Sequence, residues 1–126
     1  MKYFLMIIFL GVLNASTARI LTYNLLNYED ENNREDDYIM ILDLVEPDLI
    51  IAQEIIGQTG YSHFQSDVLD VLEPNIWSSA PFTNQSAQQD IALYYKNDIF
   101  TSIGTSVVYT AQSSGTRDVI EWVMLH

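Results

Sequence analysis

The stretch Asp48-Leu49-Ile50-Ile51-Ala52-Gln53-Glu54 constrains the fold of this chain more than any other. Leu49 to Ala52 is an unbroken apolar run, and Pro47 keeps a helix from continuing into it. Such a run suits a strand buried on both faces, as in parallel sheets covered by helices. Upstream, Arg19-Ile20-Leu21-Thr22-Tyr23-Asn24-Leu25 is rich in β-branched and aromatic residues and reads as a strand. Between the two, Tyr38, Ile41, Leu42 and Val45 stand at i, i+3, i+4 and i+7, one apolar face of a helix. Acidic residues from Glu29 to Asp37 crowd the start of that helix, where the positive end of its dipole favours them. Strand, helix and strand inside residues 19–54 form a βαβ unit, so the expected fold class is α/β.

Parallel neighbours bring their C-terminal ends to one edge of the sheet, where ligands commonly bind in open α/β folds. This places Asn24 and Glu54 close together. Glu54 is a charge at the end of an otherwise apolar strand, and two readings of it stand: it marks the exit of the strand into solvent, or it is paired or holds a metal.

The rest of the chain is patterned less sharply. Phe64, Val68, Val71 and Leu72 fit an amphipathic helix after the Gly57–Gly60 turn, closed by Pro74. Residues 76–79 suggest a short strand, 81–89 a polar loop and 90–96 a strand. Asn97-Asp98 reads as a turn, 99–109 as one or two strands, and 118–125 as a final strand. His63 falls in the second helix pattern and reads as a surface residue; His126 belongs to no motif.

Residues 1–18, MKYFLMIIFLGVLNASTA, have the parts of a secretory leader: Lys2, an apolar run from Tyr3 to Leu13, and small residues at Ser16 and Ala18 before a cleavage point. The run is shorter than the roughly 20 residues that cross a bilayer. The expectation is a signal peptide over 1–18 and one domain over 19–126, with no membrane span after cleavage. The protein would then be secreted or periplasmic, and the short n-region fits a bacterial source. Residues 19–126 hold four basic residues (Arg19, Arg34, Lys96, Arg117) and 17 acidic ones, a formal charge of −13. That balance excludes nucleic-acid binding through a broad basic surface. The lack of cysteine excludes disulfides, thiolate metal sites and cysteine nucleophiles. The acidic run lacks the spacing of an EF-hand loop and reads as a solvated loop and helix start.

The strand ending Thr22-Tyr23-Asn24-Leu25-Leu26-Asn27-Tyr28, then Arg34, then Pro47-Asp48-Leu49-Ile50-Ile51-Ala52-Gln53-Glu54, resembles the opening of the endonuclease/exonuclease/phosphatase (DNase I-like) superfamily. More closely, it is similar to the secreted bacterial branch whose domains begin with a YNLLNY strand. Asp90 to Lys96 and Thr116 to Val123 are similar to two later strands of that family, so the resemblance runs in order along residues 19–126. It implies a four-layer α/β sandwich with mixed sheets, and hydrolysis of phosphate esters with a divalent metal, usually Mg²⁺. Carried over by position, Glu54 matches the metal-binding glutamate. Asn24 matches the asparagine beside the metal, and Arg117 a residue near the substrate phosphate. Mg²⁺ prefers hard oxygen ligands and often takes one or two carboxylates, leaving positions for water and phosphate.

The family's S-D-H-like motif with its general-base histidine and its H-L-K strand are not in this sequence, and no D-x-N follows Glu54. Leu26 also stands where some relatives carry an aspartate. The resemblance calls for roughly twice the 108 residues of 19–126. It therefore implies the N-terminal part of a secreted Mg²⁺-dependent phosphodiesterase or nuclease that is inactive, or nearly so, on its own. The substrate class (DNA, RNA, phosphoinositide, sphingomyelin or nucleotide) stays open. An alternative is a non-catalytic secreted binding protein that keeps the first half of the fold and pairs its final strand with a partner or a second copy. An unrelated small α/β domain is the third reading.

Overall fold

The computed structural model describes residues 17–30, 33–84, 89–108 and 118–126. Most of the expected leader, together with Arg117, lies outside the described residues. The chain forms β1 (Ile20–Tyr28), α1 (Glu35–Val45), β2 (Leu49–Ile55) and α2 (Gly57–His63) in succession. A π-helical turn (Phe64–Leu69) and α3 (Asp70–Leu72) extend α2 into one helical run. Strands β3 (Trp77–Ser79), β4 (Asp90–Lys96), β5 (Thr101–Val108) and β6 (Val119–Leu125) follow. The described residues form a mixed α/β fold with two sheets. One has four strands in the order β1-β2-β4-β3, the other pairs β5 with β6.

The βαβ unit forms as its sequence pattern requires: β1 and β2 are parallel, with Ile20 opposite Leu49 and Asn24 opposite Gln53. Glu35, Asp36 and Asp37 occupy the first turn of α1. The helix ends at Glu46, whose N–H still bonds the Leu42 carbonyl at 2.8 Å and whose left-handed backbone (φ 49°) turns the chain out of the helix before Pro47. Its buried residues are Tyr38 and Leu42, whereas Ile41, expected on the same face, is 37% exposed.

Burial of β2 on both faces is also found, but with a different covering. One face packs under the helices, where Ile50, Ala52 and Ile55 meet Leu25, Tyr28, Tyr38, Leu42, Phe64, Val68 and Leu69. The other face packs Leu49 and Leu93 with Phe100 and the half-buried Trp122 and Met124 of β6. The second neighbour of β2 is β4, which runs antiparallel. A long apolar run thus reported two covered faces, not the direction of both neighbouring strands.

The second helix begins at Gly57, earlier than its apolar pattern implies. Its π-helical turn advances the phase of the buried stripe, so Leu69 enters the core and Val71 is left 60% exposed. Beneath these helices lies a chain of tilted and edge-to-face rings. Tyr23, Tyr38, Tyr28, Phe64 and Tyr94 are each 5.3–5.8 Å from the next.

Candidate functional site

Regular pairing of β1 with β2 stops at Asn24–Gln53 and resumes at Tyr28–Ile55, so four steps on β1 match two on β2. The surplus residues are a β-bulge. Within it Leu26 and Asn27 take left-handed backbone conformations, with φ of 52° and 56°. Asn24 stabilises this turn by accepting the Leu26 N–H on Oδ1 at 2.8 Å. The Leu25 carbonyl accepts two hydrogen bonds, from the Tyr38 hydroxyl at 2.8 Å and from Arg34 Nη1 at 3.0 Å. Gly60 closes on the far end of the bulge so tightly that a Cβ there would lie 2.3 Å from the Tyr28 carbonyl oxygen.

A second bulge faces the first. Gln53 pairs with Ile91 and Ile55 with Asp90, so Glu54 is the additional residue on β2. Its φ of 58° is a conformation that a glutamate adopts only at a cost. The bulge reverses the alternation of side chains along β2. Ile50, Ala52 and then Ile55 are fully buried, and Glu54 is left half-buried at the sheet edge. In a regular strand Glu54 would have followed Ala52 into the apolar helical core. The bulge relieves that cost.

Asn24 and Glu54 therefore lie on adjacent parallel strands, one register step apart, Asn24 at the start of one bulge and Glu54 within the other, at the same end of the sheet. Asn24 is exposed. Together they offer a carboxylate and an amide oxygen, hard donors of the class that Mg²⁺ takes with water and phosphate filling the remaining positions. Among the described residues no three His, Asp or Glu side chains gather as a ready-made metal cage.

Two residues at this edge were not singled out from the sequence. Asp90, 1% exposed, is the one charged side chain buried among the described residues, and its Oδ2 accepts the Gly57 N–H at 3.0 Å. Gln89 donates from Nε2 to Asn27 Oδ1. The signal was present, because Asp90 opens an otherwise apolar strand just as Glu54 ends one.

The histidines stand elsewhere. His63 Nδ1 lies 2.6 Å from Asp67 Oδ2 on the helical surface, one turn apart. Ser66 Oγ donates to the other Asp67 oxygen at 2.6 Å. These two hydrogen bonds, Ser66 first, hold the Asp67 carboxyl below its ordinary pKa. The ring of His126 is 5.1 Å from that of Phe100.

A groove of about 610 Å³ opens at the opposite end of the sheet, lined by Arg19, Asp48, Glu73 and Lys96 among others. Its cations are engaged from within. Arg19 bonds the Val45 and Glu46 carbonyls, and Lys96 Nζ is 2.9 Å from Glu73. That leaves little positive charge to recruit an anion, so its size alone gives it no role. No helix of the described residues is long and apolar enough to cross a membrane. No protein-family model matches the chain, and no curated protein matches it.

Proposed function

We propose that residues 19–126 carry the glutamate–asparagine part of the metal site of a secreted or periplasmic Mg²⁺-dependent phosphoesterase. Its fold would be the four-layer sandwich of the endonuclease/exonuclease/phosphatase superfamily, with the substrate a phosphodiester. The observation that carries the reading is Glu54, held in a strained left-handed bulge at the edge that also presents Asn24. Strained backbone clusters at functional sites, and here the bulge that keeps Glu54 out of the apolar core also sets its carboxylate at the edge beside Asn24. The helix–sheet–sheet layering of the described residues is compatible with that sandwich.

Glu54 would hold Mg²⁺ through its carboxylate, and the Asn24 amide would orient a water or phosphate oxygen beside it without adding charge. When bound, the ion would neutralise charge developing on the phosphate. The sequence contains no S-D-H-like motif to remove a proton from water, so the 126-residue chain is expected to lack turnover. The test is an NMR-monitored Mg²⁺ titration of the whole chain, with bis(p-nitrophenyl) phosphate hydrolysis followed in parallel. Mg²⁺-dependent shifts at Glu54 and Asn24 that vanish in Glu54→Gln are expected, without hydrolysis. No response at Glu54 overturns the metal reading, and hydrolysis abolished by Glu54→Ala overturns the expected inactivity.

The β5–β6 sheet favours a second reading, a binding protein that pairs by strand addition. Ile103, Val108, Val119, Val123 and Leu125 are all exposed on it, and uncovered apolar strands invite such pairing. Sedimentation analysis decides between the partners. Concentration-dependent association weakened by Val119→Lys supports pairing with a second copy, and a monomer at all concentrations leaves a different protein as the partner.

A further inference from the structure

The geometry points to Asp90 as the residue that positions Glu54, an inference that rests on the metal reading only for its consequence and not for its geometry. Three observations converge. Asp90 is opposite Ile55, the residue that follows Glu54, and the shift between that pair and Gln53–Ile91 is what expels Glu54 from the ladder. Its buried Oδ2 accepts the Gly57 N–H, three residues beyond Glu54, at 3.0 Å. Ile56, the residue preceding α2, provides no side-chain cap, so a carboxylate from β4 does the work of an N-cap for the helical run that follows Glu54.

The segment from Glu54 to Gly57 is therefore held by the pairing of Ile55, by the Ile56 N–H on the Tyr28 carbonyl at 2.8 Å and, at its far end, by Asp90. Two left-handed residues bracket it, Glu54 at φ 58° and Gly57 at φ 59°. With the Asp90 acceptor removed, the turn at Gly57 loses its anchor, and Glu54 is expected to relax toward an extended conformation against the remaining Ile56–Tyr28 bond. The helix dipole adds to the preference for a charged acceptor at this place. The neighbouring Gln89 reaches past β2 to Asn27 in the β1 bulge. The start of β4 thus clasps both irregular segments, with Asp90 on the glutamate side and Gln89 on the asparagine side. Asp90 acts through Glu54: its carboxylate is committed to the Gly57 amide and lies under the surface.

The experiment compares the whole chain as wild type, Asp90→Asn, Asp90→Ser and Asp90→Ala. The first readout needs no metal: the backbone conformation of Glu54 from NMR couplings and carbon shifts. Asp90→Asn keeps an acceptor oxygen and is expected to keep Glu54 left-handed. Asp90→Ala is expected to return Glu54 to an extended conformation while the β5–β6 resonances stay unmoved. A folded Asp90→Ala protein with Glu54 still left-handed overturns the proposal. Failure of both the Ala and Ser variants to fold also overturns it, in favour of a purely structural role.

The second readout is the Mg²⁺ affinity sensed at Glu54, expected to fall about tenfold in Asp90→Ala and to be restored in Asp90→Asn, as for other residues that orient a metal ligand. A folded Asp90→Ala protein with wild-type Mg²⁺ affinity counts against the proposal. If the wild type itself shows no Mg²⁺ response, the phosphoesterase reading fails, and the first readout still decides the role of Asp90.

Discussion

The Tyr38 hydroxyl donates to the Leu25 carbonyl at 2.8 Å, tying helix α1 to the first residue of the β1 bulge just before the chain turns left-handed. Arg34 donates to the same oxygen. Tyr38→Phe keeps the ring packing and one of the two donors. It is expected to cost about 1 kcal/mol, the usual net value of one hydrogen bond, measured by urea denaturation.

Glu54 offers a separation of function from stability. Its φ of 58° suits glycine, so Glu54→Gly removes backbone strain while adding chain entropy to the unfolded state. These effects oppose each other. The variant is expected to fall within roughly 0.5 kcal/mol of wild type in denaturant, yet to lose any Mg²⁺ response. Glu54→Val forces a β-branched side chain into the same conformation and should cost about 1–2 kcal/mol. Equal stabilities for the Gly and Val variants would refute the left-handed assignment.

Gly60 tests how closely α2 sits on the β1 bulge. A methyl group there would meet the Tyr28 carbonyl oxygen at 2.3 Å and the Glu29 backbone at 3.2 Å. Backbone cannot swing aside as a side-chain tip can. Gly60→Ala is expected to destabilise by on the order of 2–3 kcal/mol in a thermal or urea melt, despite the better helix propensity of alanine.

The tyrosines set the alkaline limit. Burial, the largest cause in each case, raises the phenol pKa values of Tyr23, Tyr28, Tyr38 and Tyr94 above the ordinary value; at Tyr28 the hydrogen bond to Glu35 adds to it. The folded chain keeps protons that the unfolded chain releases near pH 10. The stabilisation is thus fully present below about pH 10 and is lost as pH climbs above it. Tyrosinate absorbance should rise in two stages, with these four tyrosines ionising last as the protein unfolds. A single unperturbed titration of all eight tyrosines would contradict the packing.

Asp67 sets an opposite, acidic dependence. Its pKa is lowered by the Ser66 and His63 hydrogen bonds, so its contribution is present above about pH 4 and fades as pH falls through its folded value. The pair is well exposed to solvent, which keeps the effect small. In thermal melts from pH 7 to pH 3, Asp67→Asn should lose less stability than wild type.

The strand–helix–strand order of residues 19–54, the burial of β2 on both faces and the closeness of Asn24 to Glu54 were legible in the sequence. Each rests on a local period or on the polarity of neighbouring residues, which a linear chain carries openly. Tertiary structure decided what local pattern could not encode. The partner of β2 on its second side, the π turn that put Leu69 in place of Val71, and the bulge that withdrew Glu54 from the helical core all depend on packing between distant segments. Asp90 shows the reason most clearly. Its meaning comes from an amide 33 residues away, and a buried carboxylate declares its partner only once the chain has folded around it.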